Sequence, residues 1–218
     1  MSYHGRTTQD GPPDVRELAD LIITKMCVGD FGNNTYLLRC RRTDEQLLVD
    51  AASEPERILA LAGDTGLAKV VTTHQHGDHW QALADVVAAT GATTYAGAFD
   101  AEGIPVRTDH PVQDGDVITV GRCSLEAIHL VGHTPGSIAL LYDDPAGTPH
   151  LFTGDCLFPG GVGNTFGDAA SFRSLLHDVR TKLFDRLPDE TWFYPGHGDD
   201  STLGAERPSL PAWEARGW

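Results

Sequence analysis

Four side chains that can bind a divalent metal lie close together between His74 and His79. They are His74, His76, Asp78 and His79, and they follow the apolar, β-branched run Val70-Val71-Thr72 and precede a helical pattern. Neutral imidazole and carboxylate are ligands that suit zinc, iron or manganese. Because side chains alternate along an extended chain, His74 and His76 can face one way, while Asp78 and His79 come from the first turn of the helix and point to a neighbouring position. The spacing predicts a metal site on a strand-to-helix turn that could serve two adjacent metals; solvated histidines on a polar turn are the alternative.

Three further candidate ligands each follow a segment of strand composition. His133 lies in Gly132-His133-Thr134-Pro135-Gly136-Ser137, and His197 lies in Gly196-His197-Gly198, so that glycine adjoins both imidazoles. Asp155 follows Gly154 at the end of a strand, where it is either a bridging carboxylate or a turn residue. Binding sites in sheet proteins collect outside strand ends. The pattern therefore predicts that these residues meet the His74–His79 segment.

The elements that must position these residues are mainly short strands. A chain that opens with successive strands is typical of an antiparallel or mixed sheet. The predicted strands are 21–28, 35–40, 47–50, 68–72, 93–96, 116–120, 124–130, 138–142, 150–153 and, as the last strand, 191–194. The predicted helical segments are 54–62, 83–90 and a long helix from Asp168 to about Leu187. Residues 97–111 have the composition of a loop.

Two residues and one loop next to the candidate ligands need an interpretation of their own. Asp50 ends a predicted strand, so it could form a hydrogen bond to the nitrogen of a ligand histidine that does not face the metal. The alternative is that Asp50 caps the segment at 54–62. Cys156 is expected to point into the core rather than to act as a catalytic thiol. The glycine-rich loop at 160–165 can lie over a pocket, but it lacks the Lys-Ser/Thr ending of a phosphate loop.

Composition limits what kind of protein can carry such a site. The 218 residues are 40% hydrophobic, which favours one domain over residues 19–218, with residues 1–18 as a flexible leader and Gly204 to Trp218 as a docked C-terminal tail. The net charge of −15 argues against nucleic-acid or anionic-membrane partners. The four cysteines form no Cys-X-X-Cys pair. Since there is neither a signal-peptide pattern nor a long apolar run, a soluble, cytoplasmic protein is expected, whose oligomeric state is unknown.

The order of the motifs carries more information than each motif alone. His-X-His-X-Asp-His, Gly-His-Thr-Pro-Gly-Ser, Thr-Gly-Asp and Gly-His-Gly together resemble the metallo-β-lactamase superfamily, and closely its glyoxalase II-like hydrolases, over about residues 20–205. The resemblance implies an α/β (α+β) fold, a four-layer αββα sandwich of two mixed sheets with helices outside. It implies two Zn²⁺ ions as cofactors, with iron or manganese as alternatives. The implied ligands are His74, His76 and His133 for the first metal, Asp78, His79 and His197 for the second, and Asp155 as the bridge.

The activity implied by the resemblance is hydrolysis of a small-molecule thioester or ester. A hydroxide shared by the metals would attack the carbonyl, with Asp78 and Asp155 as catalytic residues that orient the bound water. A mononuclear iron persulfide dioxygenase, a small-molecule lactonase and a metal-binding protein without turnover are the alternatives.

Some members of the superfamily fit the sequence less well. The best-known class of β-lactamases has cysteine at the position of Asp155, so penicillin hydrolysis is disfavoured. Persulfide dioxygenases carry an Arg-Gly-X-Gly-Arg-Thr-Asp segment, whereas this chain has Pro159-Gly160-Gly161-Val162-Gly163-Asn164-Thr165. Classical glutathione thioesterases have a basic residue at the position of Asn164, so glutathione is not implied as the thiol carrier.

Overall fold

Two β-sheets pack face to face in the computed structural model, which describes residues 3–217. The first sheet has seven strands in chain order: β1 (Asp14–Glu17), β2 (Leu21–Val28), β3 (Asn33–Cys40), β4 (Gln46–Val49), β5 (Lys69–Thr72), β6 (Thr93–Gly97) and β7 (His110–Val112). Strands β1 to β4 pair antiparallel, whereas β4 to β7 pair parallel. The carboxyl ends of β4, β5 and β6 therefore lie at one edge of the sheet.

The second sheet has six strands in the order β15-β14-β11-β10-β9-β8. Their bounds are β8 (Val117–Val120), β9 (Cys123–His129), β10 (Ile138–Tyr142), β11 (His150–Gly154), β14 (Trp192–Pro195) and β15 (Ser201–Thr202). Strands β12 (Leu157–Phe158) and β13 (Gly161–Val162) form a separate two-stranded ribbon. Since β11 and β14 are parallel, the segments after both strands leave the sheet on the same side.

Helices cover the outer face of each sheet. The helices are α1 (Pro55–Ala62), α2 (Leu83–Thr90), α3 (Ala169–Asp178), α4 (Leu203–Glu206) and α5 (Leu210–Arg216). One apolar cluster fills the space between the sheets, a second joins the first sheet to α1 and α2, and a third joins the second sheet to α3, α4 and α5. The predicted αββα sandwich of two mixed sheets is thus confirmed.

Local sequence explains several element boundaries. Pro55 occupies the first turn of α1, where its missing N–H is not needed. The Asp168 side chain accepts a hydrogen bond from the Ala170 backbone N–H and so caps α3. The predicted helix from Asp168 continues beyond α3 as a π-helix at Val179–Phe184, so its geometry is not α-helical throughout.

The ends of the chain differ from the sequence-based expectations. Strand β1 lies within the segment expected to be a flexible leader, because Asp14–Glu17 adds to the edge of β2; its polar sequence gave no strand signal. The prediction that 191–194 is the last strand is wrong, since β15 pairs antiparallel with β14. In the expected tail, Trp213 is buried, and Trp218 lies outside the described residues. The division at residue 18 into leader and domain stays a prediction.

No helix within residues 3–217 combines the length and the hydropathy needed to cross a lipid bilayer.

Candidate metal centre

Four chain segments at one edge of the sandwich bring all seven candidate ligands together. One follows β5 and carries His74, His76, Asp78 and His79; the others follow β9, β11 and β14 and carry His133, Asp155 and His197. Asp78 and His79 lie in a short 3₁₀ turn, Gly77–His79, which is separate from α2, so their expected position in the first turn of the helix is wrong. The side chains nevertheless point into the same site. Their role as metal ligands stays a prediction.

A first cluster consists of three imidazoles. The donor nitrogens of His74, His76 and His133 lie within 4.8 Å of one another. Nε2 of His133 is 2.9 Å from Nδ1 of His76 and 3.3 Å from Nε2 of His74. His74 is fully buried and His133 nearly so. Three convergent imidazole nitrogens are a donor set suited to a divalent transition metal.

A second cluster combines a carboxylate with two imidazoles. The donor atoms of Asp78, His79 and His197 also lie within 4.8 Å of one another. Oδ2 of Asp78 is 3.3 Å from Nε2 of His197 and 3.6 Å from Nε2 of His79. This mixture of nitrogen and oxygen donors again suits zinc, iron or manganese.

The carboxylate of Asp155 lies between the two clusters. Its Oδ2 atom is 3.7 Å from Nε2 of His133 in the first cluster and 3.5 Å from Nε2 of His197 in the second. Its Oδ1 atom is 3.3 Å from Nε2 of His79. The glycine at position 196 permits this approach, because a Cβ atom there would overlap Asp155 Oδ1 and the His79 ring. The position of Asp155 is the one that a bridging ligand requires.

Hydrogen bonds fix the outer nitrogen of three of these imidazoles. Nδ1 of His79 lies 2.9 Å from Asp50 Oδ2, Nδ1 of His133 lies 2.8 Å from the Asn164 carbonyl oxygen, and Nδ1 of His197 lies 3.1 Å from the Phe31 carbonyl oxygen. Since each of these oxygens is an acceptor, each Nδ1 donates its hydrogen. In the neutral imidazole, the Nε2 atom that faces the site then carries a lone pair, as metal ligation requires.

Asp50 forms a hydrogen bond with the candidate ligand His79, as one of the two interpretations of its sequence position predicted. It accepts hydrogen bonds from the backbone N–H and the hydroxyl of Thr73, at 2.7 Å and 2.8 Å, besides the bond from His79. The buried carboxylate thus ties the end of β4 to the segment that follows β5. The alternative interpretation, a cap for α1, finds no support, because no side chain caps that helix.

The first cluster favours neutral imidazole. Burial lowers the pKa of His74 well below its ordinary value, and the neighbouring imidazoles of His79 and His133 lower it further. Burial also lowers the pKa of His133, although the Asp155 carboxylate opposes this effect. Both side chains therefore present the form that binds metal at neutral pH.

In the second cluster and at Asp155, the surroundings favour ionised carboxylates. Burial raises the pKa of Asp78, but the hydrogen bond from Asn33 and the nearby imidazoles outweigh it and lower that pKa. The pKa of Asp155 is lowered in the same way, burial being outweighed mainly by His79. Burial lowers the pKa of His79, but Asp50 and Asp155 outweigh it and raise the value to about 10. A metal at this position would therefore displace a proton from His79.

Unpartnered atoms give an independent test of whether a metal fits. Among residues 3–217, Nε2 of His79 and Oδ1 of Asp155 are buried and have no hydrogen-bond partner, although they lie 3.3 Å apart. A buried polar atom without a partner costs about 1–3 kcal/mol. A divalent cation between these atoms would satisfy both, so the residues fit a metal.

Sequence reasoning missed Asn33 as a part of this site. Its side-chain amide donates to Oδ2 of Asp78 at 3.0 Å and lies 3.3 Å from Nε2 of His197. The predicted strands 21–28 and 35–40 leave residues 29–34 as a connection between them, and this connection ends in two consecutive asparagines. The available signal was the pair of polar residues in the connection between two predicted strands.

The αββα sandwich with imidazole and carboxylate donors at one edge defines a class of divalent-metal-binding proteins. Residues 28–197 of the sequence match the metallo-beta-lactamase superfamily. The chain belongs to this superfamily, whose members bind divalent metal.

One relative by sequence and two solved structures show which members of the superfamily this chain is similar to. The chain is 37% identical over 183 residues to a hydroxyacylglutathione hydrolase of Polaromonas sp., which covers 81% of this chain and 66% of that relative. The chain thus spans just under two thirds of that relative. Its structure resembles ETHE1 from Myxococcus xanthus, with a TM-score of 0.76 and 27% identity over 88% of this chain and 84% of that one. It also resembles TTHA1623 in a di-iron-bound form, with a TM-score of 0.71 and 31% identity over 86% of this chain and 98% of that one.

Proposed function

We propose that the protein is a metal-dependent hydrolase that cleaves a small-molecule thioester or ester. The observation that carries the proposal is the carboxylate of Asp155 between two donor clusters, with atoms 3.5–3.7 Å from an imidazole of each. The 37% identical relative named hydroxyacylglutathione hydrolase supports the thioester in particular. Because the chain spans only part of that relative, the acyl group and the thiol carrier are left open.

The ligand assignment follows the two clusters. His74, His76 and His133 would hold one metal, Asp78, His79 and His197 would hold the other, and Asp155 would bridge them. Zinc is the proposed metal; iron is the first alternative, since TTHA1623 binds two iron ions, and manganese is the second. Two cations held by these residues would lower the pKa of a bound water and polarise a carbonyl oxygen.

The protein groups contribute orientation and charge. Asp78 and Asp155 have lowered pKa values, so both remain ionised acceptors and can orient an attacking water. The amide of Asn33 holds the Asp78 carboxylate in place. Since Cys156 is buried and burial raises the pKa of its thiol, no thiol nucleophile is assigned.

A substrate would bind beside the clusters along the glycine-rich loop. A cavity of about 440 Å³ is lined by Phe158, Asn164, Thr165 and neighbouring residues of this loop, together with Arg216 of α5. The exposed ring of Phe166 lies 5.7 Å from the ring of His76 and 6.1 Å from that of His133. An apolar portion of the substrate would pack against this ring as its carbonyl approaches the clusters.

The test combines metal content with activity on one sample. Protein purified without added metal would be subjected to elemental analysis, and hydrolysis of an S-lactoyl thioester would be followed on the same preparation. We expect two zinc ions per chain, together with turnover that a chelator abolishes. One iron per chain, with oxygen uptake on a persulfide and no thioester cleavage, would overturn the proposal in favour of an iron dioxygenase.

A further inference from the structure

The loop after β6 contains a buried carboxylate to which the proposed reaction assigns no role. Asp100 has no solvent exposure. Its Oδ1 atom accepts a hydrogen bond from the Gly136 backbone N–H at 2.6 Å. Its Oδ2 atom accepts from the Gln75 backbone N–H at 3.0 Å and from the Thr134 hydroxyl at 2.5 Å. These three partners are neutral donors, and two of them are backbone groups.

The three donors come from the two segments that build the imidazole cluster. Gln75 lies between His74 and His76, whereas Thr134 and Gly136 follow His133. The segments are distant in sequence, so the contact between His76 and His133 depends on what holds their backbones together. Asp100 accepts hydrogen bonds from both segments.

Close packing around Asp100 leaves the two segments little room to move relative to each other. At position 136 an added Cβ atom would overlap the backbone nitrogen of Asp100, and at position 103 it would overlap the side chain of Gln75. The Thr134 hydroxyl also lies 2.5 Å from the hydroxyl of Ser137, so Asp100, Thr134 and Ser137 form one buried chain of polar groups. A displacement of Asp100 would therefore move both segments.

We propose that Asp100 is a positioning residue, which sets the separation of the His74–His76 segment from His133 and thereby the metal affinity of the three-imidazole cluster. This inference rests on the proposed function, in that the cluster must bind a metal. Hydrogen bonds to an ionised acceptor are about twice as strong as neutral ones, so the carboxylate suits this task better than an amide. Loss of a residue that orients ligands typically weakens metal binding by about 10–100-fold.

The test measures metal affinity rather than activity. Zn²⁺ would be titrated into the metal-free full-length chain in competition with a chromophoric chelator, for the wild type, Asp100→Asn and Thr134→Val. The control is Asp144→Asn, since Asp144 is also buried and accepts a hydrogen bond from a backbone N–H, that of Ala146, in the β10–β11 connection. A second series in the His197→Ala background isolates the three-imidazole cluster.

We expect Asp100→Asn to weaken one of the two zinc sites by about 10–100-fold, Thr134→Val to weaken it less, and Asp144→Asn to change neither. The loss should persist in the His197→Ala background. Unchanged affinity in Asp100→Asn and Thr134→Val, or equal weakening of both sites, would overturn the inference while the proposed function stands. A wild-type chain that binds none of zinc, iron and manganese would overturn both. If Asp100→Asn does not fold, Thr134→Val decides the question alone.

Discussion

The substitution Lys25→Met tests whether a buried ion pair supports the loop that carries His197. The side chains of Lys25 and Asp200 are both 0% exposed, and their charged atoms are 2.6 Å apart. Lys25 Nζ also donates to the carbonyl oxygens of Gly5, at 2.9 Å, and Gly198, at 2.7 Å. Methionine retains most of the aliphatic stem but removes the charge and all three hydrogen bonds.

The expected loss of stability follows from the charge left behind. Removing one partner of a buried ion pair costs about 3–5 kcal/mol, because the other charge stays buried without compensation. Asp200 would retain hydrogen bonds from Tyr3 Oη at 2.5 Å and Trp192 Nε1 at 3.0 Å, which favours the lower part of this range. With a urea m-value of about 3 kcal/mol/M, the unfolding midpoint should fall by about 1–1.7 M.

Urea unfolding of the metal-free protein, followed by tryptophan fluorescence, measures this loss. The control is Arg6→Met, because Arg6 pairs with Asp199 in the same loop at 3.0 Å while both side chains are mostly exposed. That pair should contribute less than about 1 kcal/mol. The double variant Lys25→Met/Asp200→Asn should recover a large part of the loss. A loss in Lys25→Met no larger than in Arg6→Met, or no recovery in the double variant, would refute the reasoning.

Three further predictions concern the site and the pH dependence of folding. Asp155→Ala should reduce the metal content of both clusters, whereas His197→Ala should empty mainly the second. Elemental analysis measures the metal content of each variant. If Asp155→Ala retained two metals and full activity, the bridging role of Asp155 would be ruled out. Asp50→Asn should weaken the second cluster by about 10-fold or more in a zinc titration, because Asp50 orients His79, and unchanged affinity would contradict that role. Burial, with a smaller effect from Arg16, lowers the pKa of His150 to about 3, so the unfolded chain binds the proton first as pH falls below about 6.5. Through this residue, the free energy of unfolding of the wild type should therefore fall by about 2 kcal/mol between pH 8 and pH 5. Urea unfolding at the two pH values measures this loss, and His150→Gln should lack it.

The donor residues could be predicted from the sequence because each motif is local and follows a strand with a strong hydrophobic pattern. The segment from His74 to His79 carries four of the seven candidate ligands, and glycine precedes His133, Asp155 and His197. Parallel pairing of β4, β5 and β6, and of β11 and β14, then brings the strand ends to one edge. The αββα layers themselves came from the resemblance, because strand patterns alone do not specify how two sheets stack.

The residues that hold the ligand loops were not predictable in the same way. Lys25 and Asp200 are 175 positions apart, and Asp100 and Thr134 are 34 positions apart. Each is a single polar residue in a segment whose composition also fits a surface loop or an exposed strand face. Their burial becomes apparent only when the two sheets and their connections are assembled.

Three aspartates with buried side chains behind the candidate metal centre each hold a segment that carries its ligands to another part of the fold. Asp50 joins the end of β4 to Thr73 and His79, Asp100 joins the segments of Gln75 and Thr134, and Asp200 joins the His197 loop to β2 through Lys25. A buried carboxylate is costly unless its oxygens are hydrogen-bonded, and these oxygens are bonded mainly to groups whose positions decide where the imidazoles lie. Rigid support of this kind is costly in stability but reduces what the ligands must reorganise when a cation binds. The carboxylates of Asp50 and Asp100 also add negative charge behind the imidazoles and so favour a cation at the site, whereas Lys25 neutralises the charge of Asp200.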